Sequence, residues 1–293
     1  MIQSRRKPAV PVNGPRPLRD DERQLVKRQT SDSTWDEGVI AAFMGTPGVH
    51  GEVWEFHGHR LILYVADADK HVNHQVAATL RDILAWFSPP RRMTAIVWWR
   101  KDPRILSANE WPTRRQVNGG WTSAGANTIC VYRAEEWDRV IFHEMIHALE
   151  WDWKMPARPL PCWGLPKGSQ IMPTLFEAWT ELLAEWLWCA WNNVPWAHQV
   201  AWSRTQAVQI LTRRGHLWRE DTSVFAYYVL KAALAPYMAR LLTVGISDGV
   251  PEERDRILCE LTSKEIAAMS HDAKHVEPVA MSLRMSAPLS HST

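Results

Sequence analysis

No two of the four cysteines stand close enough in the sequence to form a Cys-x-x-Cys pair. Cys130, Cys162, Cys189 and Cys259 are scattered. That pattern speaks against a zinc ribbon and against a disulfide framework, and it makes a reducing compartment the default expectation. No apolar run reaches the length that spans a bilayer, and the N-terminus lacks the apolar core of a secretory signal. Strong charge of one sign is missing too: the net charge is +2 over 293 residues. The doublets Arg114-Arg115 and Arg213-Arg214 are too sparse for a basic stripe, so nucleic acid is not an expected partner, and neither is a membrane. Tyrosine and phenylalanine are scarce, at 5 and 6 residues, whereas tryptophan numbers 18. Large rings fill cores or line clefts, and these cluster around the segment of greatest chemical interest.

Residues 1–19 carry Arg5, Arg6, Lys7, Arg16 and Arg19 with no acid, and four prolines oppose an amphipathic helix there. Residues 1–33 therefore read as a flexible basic lead-in, with order beginning near Trp35. The expected compartment is intracellular, the cytoplasm first, and the basic N-terminus leaves organelle targeting open. Glu52–Phe56 and Arg60–Ala66 are β-favouring runs joined by His57-Gly58-His59, a hairpin signal. Val72–Phe87 has helical spacing and stops at Pro89-Pro90. Thr94–Trp99 and Asn127–Arg133 read as strands. Beyond Ala134 nearly everything reads as helix: 134–153, 173–191, 195–213, 221–242 and one or two short helices over 251–269. A loop with five prolines spans 156–173, and 271–293 reads as a disordered tail. The expected fold class is α+β, with one domain over 34–270 that is β-rich over 50–133 and helical over 134–270.

His143-Glu144-Met145-Ile146-His147 lies inside one of these helices. Residues four apart share a helix face, so both imidazoles can address one metal ion. Glu144 is placed to take the proton of a water that such an ion polarises. A hydrolytic zinc site needs a third protein ligand. Trp153, six residues past His147, cannot serve, and no glycine at Glu150 lets the helix break in time. On 173–191, Glu177, Glu181 and Glu185 form a row at i, i+4, i+8. No lysine or arginine occurs between Lys167 and Arg204, and buried carboxylates need a cation or a metal. His57, His59, His71 and His74 lack this spacing and read as surface histidines.

The motif and the following Phe176-Glu177-Ala178-Trp179-Thr180-Glu181 resemble the HExxH zinc peptidases whose third ligand is a glutamate on a later helix, the gluzincins. The resemblance covers about residues 127–185. It implies a zincin-like fold, a Zn2+ cofactor and a peptide or protein substrate. It further implies His143, His147 and Glu177 as ligands, Glu144 as general base, and Glu181 as the orienter of His143 behind the ligands. Two departures stand out. The gap from His147 to Glu177 exceeds the family's common spacing, and Glu181 replaces the usual aspartate, which leaves a swap of Glu177 and Glu181 open. In similar enzymes a Tyr or His on a later helix donates to the oxyanion. Tyr228 is favoured here over His216 and Tyr227, with Lys231 on its face to meet a substrate carboxylate. The strand 127–133 would hold an extended substrate along an edge, with 118–123 forming part of the cleft. The expectation is thus a zinc metallopeptidase. The alternative is an inactive zincin-like scaffold or assembly factor that binds a protein or RNA.

Overall fold

The computed structural model describes residues 12–31, 36, 38–152, 159–172, 175–213, 218–244 and 251–287. The fold is mixed α+β, with a small N-terminal sheet and a helical C-terminal part. Two compact units emerge: Met1–Pro103 with Asn118–Trp151, and Arg104–Val117 with Asp152–Thr293.

The first unit opens with β1 (Asn13–Pro17) and α1 (Asp20–Ser31). Order thus starts earlier than the basic lead-in led us to expect; Trp35 itself lies outside the described residues. An ion-pair network explains why. Fully buried Glu22 of α1 takes Arg16 at 2.6 Å and Arg60 at 3.3 Å. The Arg16 hydrogen bond holds that carboxyl well below its ordinary range. Next come α2 (Val39–Met44), β2 (Val49–Phe56), β3 (His59–Ala66), α3 (Asn73–Phe87) and β4 (Thr94–Trp98). The β2–β3 hairpin turns on two residues, His57 at φ 48° and Gly58 at φ 77°. Two positive φ values match the strand twist.

Segment 104–117, with β5 (Ile105–Leu106) and α4 (Arg114–Val117), belongs to the second unit. The first unit resumes with β6 (Gly120–Trp121), β7 (Thr128–Val131) and α5 (Trp137–Ala148). The sheet order is β1-β2-β3-β4-β7-β6; β3, β4 and β7 run parallel and β6 is antiparallel to β7. Side chains alternate across the sheet, so Ile62, Ile96 and Cys130, which are register neighbours, form one row. That row, with Trp98 and Tyr132, packs with Val26 of α1 and Ile40 of α2. Helix α3 packs on β3 and α5 on β7. The Phe142 ring, 5.2 Å from that of Phe87, ties α5 to the end of α3. The strand expected to be the open edge, 127–133, is therefore internal. The edge strand on that side of the sheet is β6, from the glycine-containing approach.

The second unit holds α6 (Leu175–Asn192), α7 (Trp196–Arg213), a π-helical turn over Phe225–Leu230, α8 (Lys231–Leu234), α9 (Met238–Val244), α10 (Pro251–Asp272) and β8 (Met281–Ser282). The single helix expected over 221–242 is broken. The π turn adds a residue to one turn, and Pro236 lies in a 3-10 turn, since it has no N–H and clashes with the preceding turn. Residues 251–269 are one continuous helix, α10. The C-terminal tail is ordered through Ala287: β8 pairs with β5, and Leu283, Met285 and Ser286 are buried. Residues 288–293 lie outside the described residues. Cysteine pairing also departs from expectation. Cys162 and Cys259 form a disulfide across 97 residues, with Cα atoms 5.7 Å apart, while Cys130 and Cys189 are free and buried. A separation that long leaves no spacing signature.

Candidate metal centre

Helix α5 is buried at Trp137 and from Arg139 through Ala148, its ionisable residues Arg139, His143, Glu144 and His147 included. It ends at Ala148 rather than near Trp153. The Glu150 N–H reaches the His147 carbonyl at 3.0 Å and the Trp151 N–H reaches that of Ile146 at 2.9 Å. This pairing is a Schellman stop with Glu150 at φ 56° in the left-handed position. The helix thus breaks without a glycine, contrary to the sequence-based expectation. The position once considered for a third ligand, Trp153, lies outside the described residues.

On this helix His143 and His147 are buried, and their Nε2 atoms stand 3.1 Å apart. The ring planes cross at 75° with centroids 4.8 Å apart, so the two edges converge on one spot. Glu144 is buried next to them. Its surroundings include the edge strand β6: a β-carbon placed on Gly120 would stand 3.2 Å from the Glu144 Oε1, 2.5 Å from the Cys130 carbonyl and 2.7 Å from Val140 Cγ1. Gly120 is therefore what lets β6 pass beside the carboxylate. Burial pushes the Cys130 thiol well up, and the Glu144 charge adds to the shift. This thiol stays protonated and is no rival nucleophile.

In the second unit the three glutamates of α6 have different fates. Glu185 is fully buried with Lys231 at 2.5 Å. The cation missing from the local sequence comes from 46 residues away. Glu185 is thereby occupied. Glu181 is also buried, at 1% exposure. Glu177, half-buried near the start of α6, accepts the Tyr227 hydroxyl at 3.0 Å. The favoured oxyanion donor, Tyr228, is placed elsewhere. Its hydroxyl donates to the Leu283 carbonyl at 3.0 Å in a fully buried position. Lys231, expected to wait for a substrate carboxylate, is fully buried with Glu185. The π turn sets this phase, and such turns recur at functional sites. His216 lies outside the described residues.

Among the other histidines, the His59 Nδ1 accepts the Met93 N–H at 3.0 Å, a backbone role. No helix among the described residues is long and apolar enough to cross a membrane. No protein-family model, curated protein or solved structure matches the chain.

Proposed function

We propose that this protein is a zinc-dependent hydrolase acting on peptide bonds, with His143, His147 and Glu177 as metal ligands and Glu144 as general base. The observation that carries the proposal is the 3.1 Å approach of the two imidazole Nε2 atoms on a buried helix. Two nitrogens bound tetrahedrally at the usual zinc distance stand about 3.3 Å apart. The pair is thus spaced for one ion before any ion is added. At the same distance the two rings could instead share one proton, and metal analysis separates the two cases.

Further support comes from chemistry local to each part. Glu177 enters as the third ligand through the Glu177-x-x-x-Glu181 pattern that resembles the gluzincin one. Glu185 is held by Lys231, which sets it apart from the other two glutamates of α6. Glu177 is the more exposed of the two, and Tyr227 fixes its orientation as an outer partner of a ligand does. The resemblance gives Glu181 the part of orienting a ligand histidine. A zinc ion supplies a Lewis acid that polarises water and a scissile carbonyl. Glu144 removes the proton of the attacking water and returns it to the leaving amine. Strand β6, which passes beside Glu144, offers the main-chain edge on which an extended substrate aligns. Tyr227, bonded to the Glu177 carboxylate, takes the role first given to Tyr228.

Elemental analysis of the purified protein beside His147→Ala tests the reading. Zinc in the parent and none in the variant is the expected result, with Glu144→Ala keeping its metal while losing hydrolysis of a peptide library. A parent that takes up no zinc at neutral pH refutes it, and the two imidazoles are then a proton-sharing core pair.

A further inference from the structure

Helix α7 presents a row of polar side chains at steps of three and four: Gln199, Trp202, Gln206, Gln209 and Arg213. Such spacing puts them on one face, and in most helices a row of this kind faces water. Here Gln199 and Gln206 are almost fully buried. Their partners are main-chain atoms of one extended segment, Glu277–Ala287. The Gln209 Nε2 donates to the Glu277 carbonyl at 3.4 Å, and its Oε1 accepts the Val279 N–H at 3.2 Å. Arg213 donates to the Val279 carbonyl. Gln206 donates to the carbonyls of Ser282, at 3.1 Å, and Arg284. Trp202 Nε1 also reaches the Arg284 carbonyl at 3.1 Å. At the far end Gln199 donates to the Met285 carbonyl at 2.8 Å and accepts the Ala287 N–H at 2.8 Å.

The opposite wall reads main chain as well. Tyr228 donates to the Leu283 carbonyl at 3.0 Å, the Leu283 N–H reaches the Arg104 carbonyl at 2.6 Å, and β5 pairs with Met281–Ser282. The buried apolar side chains of the segment are Leu283, Met285 and Ala287, at the i, i+2, i+4 spacing of an extended chain. A surface that holds main chain by side-chain amides and takes alternate apolar anchors has the character of a peptide-binding groove.

We propose that this α7 groove is a docking site for an extended peptide, and that its occupant, residues 277–287, can be supplied by a second copy of this chain. The connection to the rest of the molecule suits exchange. The occupant is preceded by a 3-10 turn over Ala273–His275 that buries none of its side chains and by the exposed Val276, which together can serve as the hinge. An identical segment from a neighbour makes the same bonds, so exchange costs little beyond the hinge, which is the condition for swapped dimers. The linked segment has a high effective concentration, so the monomer dominates in dilute solution. The inference is independent of the metal reading.

The test uses the full chain. Concentrated protein is incubated warm, below its unfolding transition, and its mass is followed by size exclusion with light scattering. A dimer that grows with concentration, and that excess synthetic peptide of residues 276–293 converts to peptide-bound monomer, is the expected result. The same peptide with Leu283→Asp and Met285→Asp must fail to convert it. A chain that stays monomeric at every concentration overturns the proposal, as does a dimer that the parent peptide leaves intact.

Discussion

Glu220 gives the sharpest test of the physical reasoning, because the test needs no substrate. Its carboxylate accepts the Phe225 N–H at 2.7 Å and the Met172 N–H at 3.3 Å. Burial nevertheless pushes its pKa up from 4.5 to about 7, with the adjacent Asp221 charge adding to the rise. The folded chain therefore binds this proton more tightly than the unfolded chain does. The stabilisation is fully present below pH 4.5 and is lost as pH rises to about 7, where it levels off. A shift of that size corresponds to at most about 3.4 kcal/mol, and partial exposure reduces the expected effect to about 2 kcal/mol. Urea unfolding from mildly acidic to mildly alkaline pH measures it, for the parent and for Glu220→Gln. The glutamine keeps an acceptor for Phe225 but turns its amide group toward the Met172 N–H, a pH-independent loss of about 1 kcal/mol. Other titrating groups are shared and cancel in the difference. The parent should therefore lose stability relative to the variant between pH 4.5 and about 7. Two curves that run parallel across that window would refute the assignment of a burial-raised acid.

Three further perturbations follow from contacts already described. Lys231→Met leaves Glu185 buried without its cation and should cost about 3–5 kcal/mol in urea unfolding, while adding Glu185→Leu should recover most of it; a double variant as weak as the single one would contradict the pairing. Gly120→Val drives its side chain into the Cys130 carbonyl and Val140, and should lower stability by about 1–3 kcal/mol in a thermal melt; an unchanged melting temperature would mean that β6 does not lie against α5. Thiol titration of the unfolded, unreduced protein should count Cys130 and Cys189 alone, and reduction should add Cys162 and Cys259 while lowering stability by about 2–5 kcal/mol. Four thiols before reduction would restore the reduced state that their spacing first implied.

What could be read from the sequence was local. The hairpin at His57-Gly58, the helix of Asn73–Phe87 and the strands around Ile96 and Cys130 follow from periodicity and turn chemistry that act within a dozen residues. The spacing of His143, Glu144 and His147 is of the same kind, since one helix turn places all three. Helix ends were less legible. The stop after Ala148 depends on Glu150 adopting a left-handed conformation that its residue type disfavours, so no glycine marks it. Phase inside a helix was also hidden: within the π turn Tyr227 meets Glu177 while Tyr228, favoured for sharing a face with Lys231, is turned to the Leu283 carbonyl.

The larger errors share one physical cause, which is that the deciding partner lies far away in the chain. The lead-in was read as flexible because residues 1–33 are polar, charged and rich in proline, and the strand residues that complete its ion pairs lie far downstream. Yet Glu22 is buried, with Arg60 joining it from another strand. The acids of α6 were read as lacking a cation because Lys231 is far downstream. The C-terminal tail was read as disordered for a subtler reason. Its alternating apolar residues, Leu283, Met285 and Ala287, are too short a run to stand out, and much of its hold comes from Gln199, Gln206 and Gln209, which bind its carbonyl and N–H groups rather than its side chains. Main-chain atoms are the same in every sequence, so a segment held through them has almost no compositional signature. What is visible is the reciprocal pattern on the partner, amides at steps of three and four on a helix whose polar row is buried. In a chain of unknown structure, glutamines at that spacing are therefore a reason to look for an extended segment that comes back to pair with them.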